Sequence, residues 1–111
     1  NLSLAEHLLE RAAKLGVDHG LPAIESEACR RLGRVLFNSG RFEGANVLLE
    51  RSHRVAASAR QRAKALFVRA QGHVLSDRLE DALSDLDAGH GELRRDPSQP
   101  YGDLLAAAWL V

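Results

Sequence analysis

Residues 28–49, ACRRLGRVLFNSGRFEGANVLL, decide how the rest of the chain is read. Cys29, Leu32, Gly33 and Leu36 recur at i, i+3, i+4 and i+7, the period of one apolar stripe on a helix. Asn38-Ser39-Gly40 interrupts the stripe, and Gly40 suits the left-handed residue that ends a helix. A second stripe begins near Arg41 with Phe42, Ala45, Leu48, Leu49 and Ser52. Gly33 and Ala45 stand where the two stripes would cross, and small residues there let antiparallel helices approach closely. The stretch predicts a helical hairpin.

Outward from it, only helical patterns follow. Residues 2–15 predict a first helix capped by Ser3 with Glu6 three residues on, and Gly16 is expected to close it. Ala5, Leu8, Leu9, Ala12 and Ala13 form its apolar stripe. Pro22 suits the first turn of a helix running to Asn38, and a third helix takes residues 41–55. Residues 58–76 and 78–94 give a fourth and a fifth, the latter expected to fray at Gly89 and Gly91. Residues 96–100 are a loop, and a sixth helix opens at Tyr101. No strand pattern competes, so the class is all-α.

The hairpin repeats. Gly33 and Ala45 have counterparts in Ala70 and Ala82, and SGRFEGANVLL at 39–49 aligns with SDRLEDALSDL at 76–86. The first helix fits the second-helix pattern. Leu104, Ala107, Ala108 and Val111 fit the first-helix pattern.

LGRVLFNSGRFEGANVLLERS resembles the tetratricopeptide repeat (TPR), with its Leu-Gly pair, a large residue three later, a Gly-x-aromatic turn and a downstream Ala. The resemblance covers nearly the whole chain as a half repeat 1–21, repeats 22–57 and 58–97, and a half repeat 98–111. The second copy departs from the pattern: Arg69 and His73 stand where Leu and Tyr are usual, and Gly89 where Ala is. The resemblance implies a right-handed α-α superhelix, an alpha solenoid of about six helices that binds proteins. The long spacing and Ala-rich helices are similar to divergent arrays in large bacterial signalling regulators. TPR domains that clamp acidic chaperone C-termini carry an Asn where Val68 stands, which argues against that particular clamp.

Composition narrows the function. The 111 residues are 45% hydrophobic, enough for one packed domain. Cys29 is the only cysteine and lies on an apolar stripe, so a buried structural thiol and a reducing, cytoplasmic interior are expected. No apolar run is long enough to span a bilayer, and no secretory leader pattern opens the chain. The absence of Met and the start at Asn1 suggest a piece of something longer. Net charge is zero, yet residues 30–69 hold ten bases against Glu43 and Glu50, with acid-rich stretches on either side. The basic middle reads either as solvated helix faces or as an attractor for an acidic partner or the acidic end of another copy.

Catalytic chemistry has no support. Gly16 and Gly20 are not followed by the Lys-Ser/Thr of a phosphate loop, no two His share a helix face, and one Cys makes no zinc site. His73 is expected to be a packed histidine, and Asp81 with Asp85 a solvated acidic face. No enzyme activity, cofactor or metal is therefore expected.

What remains is surface. In a TPR-like array the concave side is lined by the first helix of each repeat. Helical phase places Glu27, Arg30, Arg34 and Asn38 there from one repeat. Lys64, Phe67, Gln71 and Leu75 come from the next, then Leu105 and Trp109. Arg30, Arg34 and Lys64 would hold carboxylates or carbonyls of a protein or peptide. Phe67 and Trp109 would either anchor its apolar side chains or pack on the neighbouring repeat. The flanking acids disfavour nucleic acid. Uncapped ends carrying Leu104, Leu105 and Trp109 would let copies self-associate.

Overall fold

The computed structural model describes residues 3–96, and the regular elements among them are five helices. They are α1 (Leu4–Asp18), α2 (Pro22–Asn38), α3 (Phe42–Val55), α4 (Ala59–Leu75) and α5 (Leu79–Arg94). The all-helical class and the helix order follow the sequence pattern. The sixth helix expected from Tyr101 lies outside the described residues.

Three of the four connections are one structure used three times. Gly20, Gly40 and Asp77 adopt positive φ of 65°, 80° and 61°. The next residue in each case reaches back to close the helix: Leu21 N–H donates to the Gly16 carbonyl at 2.8 Å, Arg41 to Leu36 at 2.9 Å and Arg78 to His73 at 2.7 Å. Shorter-range bonds from Gly20, Gly40 and Asp77 complete these Schellman ends. Asp77 occupies a conformation that glycine takes without cost, and Asp is among the few other residues that enter it readily. The α3–α4 connection differs: Ser58 caps α4 by accepting the Gln61 N–H at 3.1 Å, and the Gln61 side chain donates to the Ala23 carbonyl at 2.9 Å.

The first turn corrects one expectation. Gly16 does not close α1, which continues to Asp18. Gly16 is instead buried where α1 meets the start of α2, and a Cβ there would come within 2.8 Å of the Glu25 nitrogen.

α2 packs against α1, α3 and α4, and α4 packs against α2, α3 and α5; α1 and α3 do not pack on each other, nor do α3 and α5. This pattern puts α2 and α4 in one layer and α1, α3 and α5 in the other. The 21 Å shortest dimension equals about two helix diameters. Between the layers lie three clusters, centred on Cys29 with Ala13 and Ala28, on Phe37 with Ala45, Leu49 and Val68, and on Phe67 with Ala63 and Leu93.

Small residues set the spacing. Gly33 faces the Leu49 side chain, 2.9 Å from where a Cβ would stand, and Ala45 is fully buried at the same crossing. Gly72 lies under the Phe37 ring and Gly89 under the Phe67 ring, both too close for a Cβ. Gly89 therefore seats an aromatic ring rather than fraying α5, which runs on to Arg94. At the other end of the α2–α3 interface, Ser26 and Ser52 are buried and each hydroxyl donates to the other's backbone carbonyl, at 2.8 and 2.7 Å. Both hydroxyl protons are spent on these bonds, so two buried polar groups are satisfied by one reciprocal pair.

Gly72→Ala is expected to destabilise the protein by about 2 kcal/mol, because overpacking against Phe37 exceeds the roughly 1 kcal/mol gained from helix propensity. Urea unfolding measures the loss, and adding Phe37→Leu should recover part of it.

Candidate functional site

Because α2 and α4 lie side by side, their outer surfaces form one face. Arg34, Asn38, Gln71 and Leu75 line a cleft of about 230 Å³ between the C-terminal halves of the two helices, floored by Phe37 and Gly72. Toward the N-terminal halves, Glu27, Arg60 and Lys64 line a second cleft of about 380 Å³. Arg30 and Arg34 also border an apolar groove against Leu8 and Leu9 of α1. Arg34, Asn38, Lys64 and Gln71 thus line the two α2–α4 clefts.

Two of the expected residues are buried rather than presented to a ligand: Arg30, which is turned to Glu27, and Phe67. Phe67 is 1% exposed, enclosed between α4 and α5 with the His90 ring edge-on at 5.7 Å, and is not presented to a ligand. Of the two roles expected for it, packing is the one found, against α5 of its own hairpin; α4 is buried on several sides, so its apolar residues do not mark a single inward face. Leu105 and Trp109 lie outside the described residues, as does the end surface expected to self-associate.

The electrostatics of this face are unbalanced. Arg30 is 4% exposed and donates to Glu27, which Arg31 also contacts at 3.0 Å. One carboxylate thereby serves two guanidinium groups. Arg34 has none: its Nε and Nη2 are enclosed and lack a hydrogen-bond partner among the described residues, and the Nε atoms of Arg30 and Arg60 are in the same condition. Burial, and then the charges of Arg30 and Arg31, push the Arg34 pKa down. Burial and the nearby Arg30 and Arg60 do the same to Lys64. For Glu27, burial raises the pKa, but Arg30 and Arg31 outweigh it and leave the carboxyl below its ordinary value.

Elsewhere the chain supplies the carboxylate that Arg34 lacks. Arg69 grips Asp85 through its own Nε and Nη2, both at 2.8 Å, and His73 Nε2 stands 3.2 Å from the same carboxylate. Asp85 is 6% exposed. It is not part of a solvated acidic face, as its i, i+4 spacing from Asp81 suggested; only Asp81 is exposed. Arg69 and His73 sit at i, i+4 on α4 and share a single buried acid on α5. The Arg69–Asp85 hydrogen bonds outweigh burial and raise the Arg69 pKa.

Among the described residues, no group of three or more His, Cys, Asp or Glu is placed to hold a metal ion, and no helix is long and apolar enough to cross a membrane. Cys29 is fully buried, and desolvation pushes its thiol pKa up, as for an inert packed thiol. Compared with known proteins, the chain matches no family model, no curated protein and no solved structure.

Asp85→Ala strands Arg69 and is expected to cost about 3 kcal/mol in urea unfolding, whereas Asp81→Ala should change stability by less than about 0.5 kcal/mol.

Acid should also destabilise the fold. Arg41 donates to the buried Glu6 at 2.6 Å and holds its carboxyl below the ordinary 4.5, against the opposing effect of desolvation. Glu6 and Glu27 both have folded-state pKa values below their unfolded ones. Their contribution is therefore complete above the unfolded value and is lost as pH falls through the folded value. Stability should be level from neutrality to about pH 5 and then fall, and Arg41→Gln should make that fall shallower.

Proposed function

We propose that this chain is a TPR-like helical-repeat module, a right-handed superhelical segment of a larger bacterial signalling protein, that binds an acidic protein or peptide along the α2–α4 face. The observation that carries this reading is the unfilled guanidinium edge of Arg34. Arg69 uses the same two atoms to hold Asp85, so a carboxylate is the group that fits the edge Arg34 leaves unfilled among the described residues. The 230 Å³ cleft that Arg34 lines gives such a group its way in. Asn38 and Gln71, at the same cleft, offer donors and acceptors to a peptide backbone. Lys64, with Arg30 and Arg60 around it, adds a second positive site along the helix pair. The repeated turn and the small-residue crossings support the repeat reading. An anion on this face would relieve the mutual repulsion of its bases, so part of the binding energy is already stored in the unliganded protein.

An array of fluorescent peptides, some carrying paired Asp or Glu residues and others their amides, tests this. Acidic peptides should bind, with affinity falling as salt rises. Arg34→Gln should weaken them about tenfold, since a charge-assisted bidentate contact is lost. Lys64→Gln should weaken binding and slightly stabilise the free protein by removing one of the crowded cations. Affinities untouched by both substitutions would discard the basic-face reading. Stronger capture of single-stranded DNA than of acidic peptides, lost with the same substitutions, would move the function to nucleic acid.

A further inference from the structure

On the opposite layer, α1 and α3 diverge and leave the largest cleft among those described here, about 540 Å³. Its floor is apolar, formed by Ala13, Leu32, Leu36 and Leu48, while Glu6 and Glu10 stand on one wall one helical turn apart. The wall charges are largely paired within the chain. Arg41 holds Glu6 Oε1, Arg51 holds Glu25 at 2.7 Å, and Lys14 reaches Asp18 at 3.4 Å. Two acceptors are left over. Glu6 is 4% exposed, and its Oε2 is enclosed without a hydrogen-bond partner among the described residues. Glu10 makes no ion pair among them.

A buried carboxylate oxygen without a donor is costly, and nothing in the apolar floor supplies one. A ligand that satisfies it must bring N–H donors, and positive charge to answer the surplus of Glu10. It must also carry a hydrocarbon body to cover Ala13, Leu36 and Leu48. We infer that the α1–α3 cleft is a binding site for an alkylammonium group, which would hydrogen-bond Glu6 Oε2, lie against Glu10 and lay its chain on the leucine floor. The volume is that of a small-ligand site, and a lysine side chain carries the same chemistry. The cleft shares no lining residue with the two α2–α4 clefts, so either site stands or falls without the other.

Titration of the ¹⁵N-labelled protein with n-hexylammonium chloride, n-hexanol and a blocked lysine-containing peptide tests the inference. Hexylammonium should shift the amides of Glu6, Glu10, Ala13 and Leu48 together and saturably, and hexanol should bind about tenfold more weakly for want of the charge. Glu10→Gln, on an exposed residue that holds no other group, should weaken hexylammonium about threefold while leaving the rest of the spectrum in place. Glu6→Gln should abolish the shifts, and its unfolding curve shows whether the fold survives the loss of the Arg41 contact. Saturable binding of the free amine identifies a small ligand, and binding of the lysine peptide alone identifies a polypeptide. The inference is overturned if neither binds saturably, if hexanol binds as tightly as hexylammonium, or if Glu10→Gln leaves the hexylammonium affinity unchanged.

Discussion

The close approach of α2 to α3 at Gly33 is the constraint on which the rest depends. With no side chain at Gly33, Leu49 packs onto the α2 backbone, and Ala45 completes a crossing from which water is excluded. That proximity brings the Ser26 and Ser52 carbonyls within reach of each other's hydroxyls, which otherwise would be buried without partners. It also orients the far end of α2 so that Phe37 crosses to α4 and rests on Gly72. The neighbouring hairpin is then placed by a ring on a glycine. Within that hairpin the device recurs, with Phe67 on Gly89. Backbone contact made possible by small residues sets each helix spacing, and the larger side chains fill what those spacings leave.

Buried charge follows the same layering. Three of the interhelical ion pairs tie neighbours of opposite layers: Arg51 with Glu25, Arg62 with Glu92, and Arg69 with Asp85. Arg41 with Glu6 is different, since it joins the start of α3 to α1 across the cleft where those helices do not pack. Such pairs add little net stability over apolar contacts, but a buried pair is costly to break. Their effect is to penalise a slipped register, because a shift of one turn would leave a buried acid or guanidinium alone. In a chain with so many interchangeable Ala and Leu residues, that penalty helps to select one packing.

The period of the apolar residues made the helices and their order legible, and Gly40 made one turn legible. Chemistry at a distance was not. Asp85 looked like a companion of Asp81 because sequence shows spacing along a helix, not the guanidinium that arrives from α4. Gly16 looked like a terminator because a glycine that ends a helix and one that admits a neighbouring backbone are written with the same letter. Phe67 was left with two roles for a related reason: on a helix with neighbours on three sides, apolar residues point in several directions. Of the residues expected in a groove, Arg34, Asn38, Lys64 and Gln71 line clefts between α2 and α4, while Arg30 is buried beside Glu27.

Arg69 and Arg34 show two ways in which this fold treats a partly buried guanidinium. Both guanidinium groups are partly withdrawn from water, and both have a bidentate edge turned into the protein. Arg69 sits between layers, where α5 supplies an acid, and its pKa rises. Arg34 sits on the layer formed by α2 and α4, where burial and then the charges of Arg30 and Arg31 act on it, and its pKa falls. Desolvating a cation without an anion opposes folding, whereas the same arrangement beside an arriving carboxylate favours association. On the reading proposed above, an arriving carboxylate would give Arg34 what Asp85 gives Arg69 within the chain.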